Sequence, residues 1–551
     1  MKPTLLPCLL SFTVLACASA AVHAHPSSTA DTSMTVAAKD RTAADAWWKH
    51  LGITPPKGGF VLEHPWSKPW SGRSLVVPAA WFGQAYDRAW QHTKSHTPLP
   101  VNAAALRADL PVLRMALEKN YSGWEPAAKR GWNWDGWFKH WDAMLAGYGD
   151  KTIPDDKAFA PWFAYEQFQI DGHSGPEVPT RFGQNIHSRS ALLASRPRGS
   201  CTRLETTNGK WHALDPKDSA QQPHAVEQWN GEALQPAAYV VYPSSFGIAK
   251  GAVCAGQTIA ATPFWSPYSG SSRQPLAQSV AAFSGGKKGL AVYNTVAPGI
   301  GYLRLAAFSD AGDEALTKLL PTLPASAGRE KLLIVDLRGN DGGNAPLEQL
   351  SRWIPVKQID GQPTQIGKRS CLYPGLWFNL GQVLALGVKP PVTANFRRIM
   401  TAYASGLDAP PSASCPVNFD TTQSKWHYTK HHFVRDWQGK RPRLLVLVDN
   451  RCGSDCEYMA WMLAQLPGTV IAGGNTFGLI GFTQPGFLLL PHTRIAFQLA
   501  TSRTDDYGDG RSENGYGLDV DVALPTQADW STRSILTLAE RLIASARPGD
   551  R

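Results

Sequence analysis

Short, strongly apolar runs alternating with helical stretches predict an α/β protein: an α/β core preceded by an N-terminal helical region and a β-rich insertion. Two observations carry this. Residues 331–337 and 444–448 are almost wholly apolar, as strands covered on both faces must be, and helical patterns follow them. Upstream, Leu106, Leu110, Leu113 and Leu117 repeat at the spacing of one helix face.

The chain opens with Met1-Lys2 and a mostly apolar run from Leu5 to Cys17, followed by small residues up to Ala24. That is the pattern of a secretory signal peptide over residues 1–24, and the run is too short to cross a bilayer. Val14 to Cys17 loosely resembles a lipoprotein processing box. The Ala-x-Ala sites just downstream serve cleavage equally well, so neither a lipid anchor at Cys17 nor a transmembrane anchor is expected. The remainder of the 551 residues is long enough for two or three domains. Formal net charge is +10, but Lys and Arg are scattered, and no basic run with interleaved aromatics points to nucleic acid.

Residues 25–102 form a Trp-rich extension, read as irregular, whose indoles serve packing more readily than sugar binding. Residues 103–185 form the helical region, with helices over 103–120, 134–146 and 158–169, the last ending in Asp171-Gly172-His173-Ser174-Gly175. Residues 186–295, rich in Gly, Pro and Ser, read as a β-rich module. Residues 296–551 form the α/β core. Its strands are expected at 302–305, 331–337, 444–448, 470–472, 487–490 and 494–499. Its helices are expected at 314–320, 345–353, 377–386, 455–465 and 535–546.

Outside the leader the cysteines are Cys201, Cys254, Cys371, Cys415, Cys452 and Cys456. An even number in an exported chain predicts disulfides. Cys452 and Cys456 lack a second pair at zinc-ligand spacing. Their i,i+4 spacing suits a bond to each other, the rival being bonds to distant partners such as Cys371 or Cys415. Asp505, Asp506 and Asp509 lack the glutamate of a calcium loop and read as a solvated turn.

Three polar clusters sit where sites are built, at the ends of apolar segments. Asp336-Leu337-Arg338-Gly339-Asn340-Asp341-Gly342-Gly343 is a glycine-rich loop after a buried strand. Its N–H groups suit a phosphate or a developing oxyanion, though the spacing is that of neither a P-loop nor a dinucleotide fingerprint. Asn450 to Glu457 opens a helix after another strand. There Ser454 reads either as a simple cap, with Glu457 completing a capping box, or as a nucleophile whose oxyanion the Asp455 N–H would help hold. His173 lies in a polar turn, and an ordinary imidazole, titrating at about 6 to 7, is the natural general base.

These segments resemble the tail-specific (carboxyl-terminal processing) serine protease superfamily. Gly301 to Leu305, Leu333 to Gly343, Gly453 to Glu457, Gly474 to Gly478 and Asn514 to Val522 follow the superfamily's order. The likeness spans roughly residues 103–185 and 296–530. One branch activates its serine with a lysine 25 residues downstream, and that position here is Leu479. The other branch resembles the tricorn protease core. It uses a histidine from the helical region, a Ser-Asp pair and a late glutamate, and His173, Ser454-Asp455 and Glu513 match it. That branch has a serine directly before its histidine. Here Gly172 occupies the position and Ser174 follows, and Asp341 stands where the family usually has glycine. No PDZ-like module is evident in residues 186–295.

The resemblance implies an exported serine peptidase, periplasmic or secreted, that hydrolyses peptide bonds of a peptide or protein substrate through an acyl-enzyme. Ser454 would be the nucleophile, His173 the base and Glu513 its support, with Asp455 and Gly342 as oxyanion donors. No cofactor or metal is implied. The competing expectations are a non-catalytic relative that binds peptide or a hydrophobic ligand, and an esterase or amidase on the same scaffold.

Overall fold

The computed structural model describes residues 49, 69–168, 171–183, 204–207, 210–213, 224–229, 231–242, 249–254, 273–324, 326–343, 346, 349–350, 364–386, 394–422, 443–449, 451–466, 468–474, 476–477, 479–506, 518, 520–524 and 527–544. The leader, Cys201, the expected helix at 345–353 (in most of its length) and Glu513 lie outside them.

Helices α1 (Ala79–Ser95), α2 (Ala103–Asn120), α3 (Trp134–Tyr148) and α4 (Ala160–Phe168) build the N-terminal region. Asn102 and Asn133 start α2 and α3 by accepting the N–H groups of Ala105 and Gly136 at 2.8 and 3.0 Å. Trp137, Trp141, Trp162 and Tyr165 then pack inward with Leu106, Leu113 and Leu117 of α2. Helix α1 departs from the irregular extension the sequence suggests. Phe82, Ala85, Tyr86 and Ala89 are buried at helical spacing, but Gly83 and the flanking Pro and Trp residues obscure that pattern.

The core is a nine-stranded sheet. From one edge its order is β4 (Ala249–Cys254), β3 (Leu234–Tyr242), β2 (His224–Trp229), β14 (Val522–Ala523), β11 (Thr469–Gly473), β10 (Arg443–Val448), β7 (Leu332–Asp336), β6 (Ile300–Leu305) and β5 (Ala291–Ala297). From β2 through β6 the neighbours are parallel, and the outer strands are antiparallel. Strands β2 to β4, from the stretch read as β-rich, thus extend this sheet at one edge.

Side-chain alternation explains why the central strands are apolar throughout. Leu333 and Val335 face the core that contains α9 (Asp455–Ala464), whereas Leu332 and Ile334 face the core that contains α10 (Thr532–Ala544). Helices α5 (Arg273–Phe283) and α6 (Asp310–Leu319) add to opposite faces. The α/β class is therefore as the sequence predicts.

A second, antiparallel sheet is ordered β9 (Asn418–Thr422), β8 (Thr364–Arg369), β13 (Ala496–Asp506) and β12 (Phe482–Leu489). The two-residue strand β1 (Gly175–Pro176) adds to it by pairing with Phe497 and Gln498 of β13. Helix α7 (Tyr373–Ala385) packs on β12, and α8 (Ala394–Gly406) packs on α7. The N-terminal helices share one core with β12 and β13, so they dock on the second sheet.

Where β7 ends, Asp336 is fully buried and accepts from four side-chain donors: Arg338 Nε and Nη2 at 2.8 and 2.6 Å, Tyr302 at 2.7 Å and Arg304 at 3.1 Å. Burial pushes its pKa up, but the two guanidiniums outweigh that and hold the carboxyl well below its usual range. Removing it would leave Arg338, which has no exposure, without its counter-charge. Asp336→Ala should therefore lower unfolding stability by about 3–5 kcal/mol, read from the denaturant midpoint. A loss under about 1 kcal/mol would contradict this picture of a buried, mutually dependent ion cluster.

Candidate active site

Two parallel strands, β7 and β10, end side by side, and each releases a polar loop. Asp449, just past β10, ties the loops together. One of its oxygens accepts the N–H of Gly339 in the glycine loop and that of Arg451 in the serine turn, both at 3.0 Å. Asp449 is not among the residues the sequence singles out; its only sign there is an acidic residue directly after a buried strand.

Ser454 begins α9 with φ 54° and ψ −126°. An L-residue reaches that region only when its surroundings impose it, and such outliers cluster at functional sites. Ser454 and Glu457 form a capping box: Glu457 Oε2 accepts the Ser454 N–H at 3.2 Å and also the Leu479 N–H at 2.6 Å, and the serine hydroxyl faces the Glu457 N–H without closing to a tight hydrogen bond. The hydroxyl has a second, closer partner in His173, Oγ lying 3.0 Å from Nε2 across 281 positions of sequence. Cys452 and Cys456 are bonded to each other across this turn, and Cys371 is bonded to Cys415. Of the two pairings the sequence allows for Cys452 and Cys456, the local one is present.

The histidine arrives from the other sheet. Its turn runs into β1, and Ser174 Oγ accepts the Ala500 N–H of β13 at 2.8 Å. Asp171 Oδ1 accepts the His173 N–H at 2.9 Å. Arg181, 2 % exposed, reaches the turn from behind. It donates to the carbonyls of Gly172 at 3.1 Å and Ser174 at 2.9 Å, and pairs with Glu177 at 2.8 Å. No motif marks Arg181 in the sequence.

His173 is 5 % exposed. Burial, then the nearby Arg181 charge, pushes its pKa down to about 4, against the backbone of Phe482 and Leu479, which favours the protonated ring. The ordinary imidazole expected from sequence is thus a buried neutral one. Its Nδ1 makes no well-formed hydrogen bond among the described residues, the backbone of Phe482 and Leu479 lying near without good geometry, and Glu513, expected to support the ring, lies outside them.

Gly342 packs against the serine. A Cβ there would stand 2.8 Å from Ser454 Cβ and 3.0 Å from the Asp455 nitrogen, and its φ of 104° also requires glycine. Its N–H, expected to face an oxyanion, donates to Asn340 Oδ1 at 2.9 Å. Asp455 sits at the first helical position, with its backbone beside Ser454 and Gly342. Asp341 is half-buried in the same loop. The described residues contain no group of three His, Cys, Asp or Glu able to hold a metal ion.

Residues 299–524 match peptidase family S41. No curated protein matches the chain. Among solved structures, mature CPAF is similar with 11% identity and a TM-score of 0.38, over 80% of this chain and 98% of that one. The photosystem II D1 C-terminal processing protease is similar with 13% identity and a TM-score of 0.29, over 81% and 98%. The tricorn protease is similar with 15% identity and a TM-score of 0.26, over 56% and 22%.

Because the folded ring resists protonation, the rate at which a fluorophosphonate modifies Ser454 should fall only below pH 6, with a midpoint nearer 4. A midpoint of 6–7 would contradict the burial argument. The sign for stability is the same: the unfolded imidazole gains its proton near pH 6.5, the folded one not until about 4, so stability is full above 6.5 and declines between those values.

The 452–456 bond closes so small a loop that it adds only about 2 kcal/mol through chain entropy. Its effect should be local, since a ~1 Å displacement of reacting groups can cost about a hundredfold in rate. Cys452→Ser/Cys456→Ser should slow Ser454 modification at least tenfold while the melting temperature shifts by only a few degrees. Equal losses in both would mark the bond as a general staple.

Proposed function

With residues 299–524 matching peptidase family S41, we propose that the protein is an exported serine peptidase in which Ser454 and His173 carry the chemistry. One observation carries the reading: Ser454 Oγ and His173 Nε2 are 3.0 Å apart, brought together from different sheets, with the serine in a backbone conformation its own helix does not need. Helix capping alone accounts for neither fact.

In this reading Ser454 Oγ attacks the peptide carbonyl as His173 Nε2 takes its proton. The tetrahedral oxyanion forms at the N-terminus of α9, beside the Asp455 N–H. His173 passes the proton to the amine as the C–N bond breaks, leaving an acyl-enzyme. Water, deprotonated by the same ring, then releases the acid and restores Ser454. The buried neutral imidazole is in the correct protonation state for the first step across the physiological range. Gly342 serves as the second oxyanion donor by giving up its bond to Asn340 when substrate enters. Glu513, which lies outside the described residues, keeps the role the resemblance implies, support of the base His173. The disulfides suit an oxidising compartment, periplasmic or extracellular, and no helix among the described residues is long and apolar enough to cross a membrane.

Ser454→Ala should abolish both peptide hydrolysis and fluorophosphonate labelling while costing no more than a helix cap, about 1 kcal/mol of stability. Failure of the wild-type protein to label at Ser454 would instead favour a peptide- or ligand-binding relative. Labelling with turnover of esters but of no peptide would favour an esterase or amidase.

A further inference from the structure

Leu479 occupies a position that links both halves of the site. Its backbone N–H is held by Glu457, the residue that caps the serine turn, at 2.6 Å. Two residues earlier, the Phe477 N–H donates to the Cys452 carbonyl at 2.8 Å, so the stretch of chain carrying Leu479 is fastened to the serine turn twice. The side chain, 3 % exposed, reaches in two directions. A Cβ built on Gly453, next to Ser454, would lie 3.5 Å from Leu479 Cδ1, an ordinary contact. A Cβ built on Gly172, next to His173, would lie 2.0 Å from Leu479 Cδ2 and 3.2 Å from its Cγ. A side chain at position 172 fits only if this leucine moves aside. Gly172 has no positive φ, so the requirement is one of space and not of backbone conformation.

We propose that Leu479 is a positioning residue that sets the His173 turn against the Ser454 turn, and that Gly172 is glycine because Leu479 fills the space its side chain would take. This rests on the reading of Ser454 and His173 as nucleophile and base, and it makes Gly172 and Leu479 one coupled feature. A leucine there also keeps the space between the two turns apolar and closed to water, being buried itself. Among the described residues, the charged groups packed about the two turns include Asp171, Glu166, Glu177 and Arg181 at the histidine and Asp449, Arg451, Asp455 and Glu457 at the serine. Arg181 adds to the low proton affinity of the ring, and burial is the larger cause.

The test is the rate of Ser454 modification by a fluorophosphonate, followed against pH in the full-length protein. Leu479→Ala should slow modification by about ten- to a hundredfold, the scale of a ~1 Å misalignment. It should also raise the acid midpoint toward that of an ordinary imidazole as water reaches the ring. Gly172→Ser should be similarly damaging in the wild-type background and nearly harmless in the Leu479→Ala background. The same coupling can show in yield: a Gly172→Ser single variant that does not fold also supports the proposal when the Gly172→Ser/Leu479→Ala double variant does fold. The proposal is overturned if Leu479→Ala leaves rate and midpoint unchanged. It is also overturned if the rate falls only in step with the melting temperature while the midpoint stays put, or if Gly172→Ser costs the same factor in both backgrounds. A wild-type protein that does not label at Ser454 removes the nucleophile itself, and with it both readings.

Discussion

Everything at the site depends on the short pairing of Gly175 and Pro176 with β13. The serine turn follows a strand of the parallel sheet, and the histidine turn leads from the helical region into the second sheet. Two ladder positions, the Ser174–Ala500 hydrogen bond and the Arg181 clamp on the carbonyls of residues 172 and 174 fix the histidine turn on the second sheet. Glu457 and the segment around Leu479 then fasten that sheet's leading strand to the serine turn. The 3.0 Å contact is the closing link of this chain of attachments.

The same attachments set the electrostatics. A turn held this tightly excludes water, and the loss of hydration lowers the proton affinity of His173 more than any neighbour raises it. Asp336, by contrast, stays ionised in an equally dry place because two guanidiniums and a phenol converge on it. Two buried groups thus take opposite courses: the imidazole stays neutral and ready to accept a proton, while the carboxylate stays charged and anchors the loop. The serine turn is braced by a disulfide and by Asp449, which also grips the glycine loop.

The parts of this arrangement that are legible in the sequence are those with periodicity or local motif. The strands at 300–305, 332–336 and 443–448, helix α2 and the helix after Ser454 follow from apolar spacing, and Ser454, His173 and the glycine loop stand at their ends. Helix α1 is not legible and the second sheet only in part. Gly83 breaks the pattern of the first; of the second, the strands expected at 487–490 and 494–499 overlap β12 and β13, whereas β8 and β9 come from distant segments without clear alternation, and Pro485 and Gly486 hide the start of β12. Arg181 and Asp449 are invisible for a different reason: their partners include backbone groups, and a backbone partner leaves no trace in residue type. The low proton affinity of His173 cannot be read from its turn motif, because burial of a turn residue is a tertiary property. Gly172 and Leu479 look in sequence like two separate departures from the superfamily's patterns, and only their contact in space makes them one.

We propose that Ser454 and His173 act together beneath an oxyanion site at the start of α9. A crystal structure of the protein after reaction with a small fluorophosphonate would show whether they do. The expected result is phosphorus bonded to Ser454 Oγ, the His173 ring within hydrogen-bond reach of that oxygen, and the phosphoryl oxygen against the Asp455 N–H, with the Gly342 N–H released from Asn340. Phosphorus on another residue, or an adduct at Ser454 with His173 turned away, would contradict it.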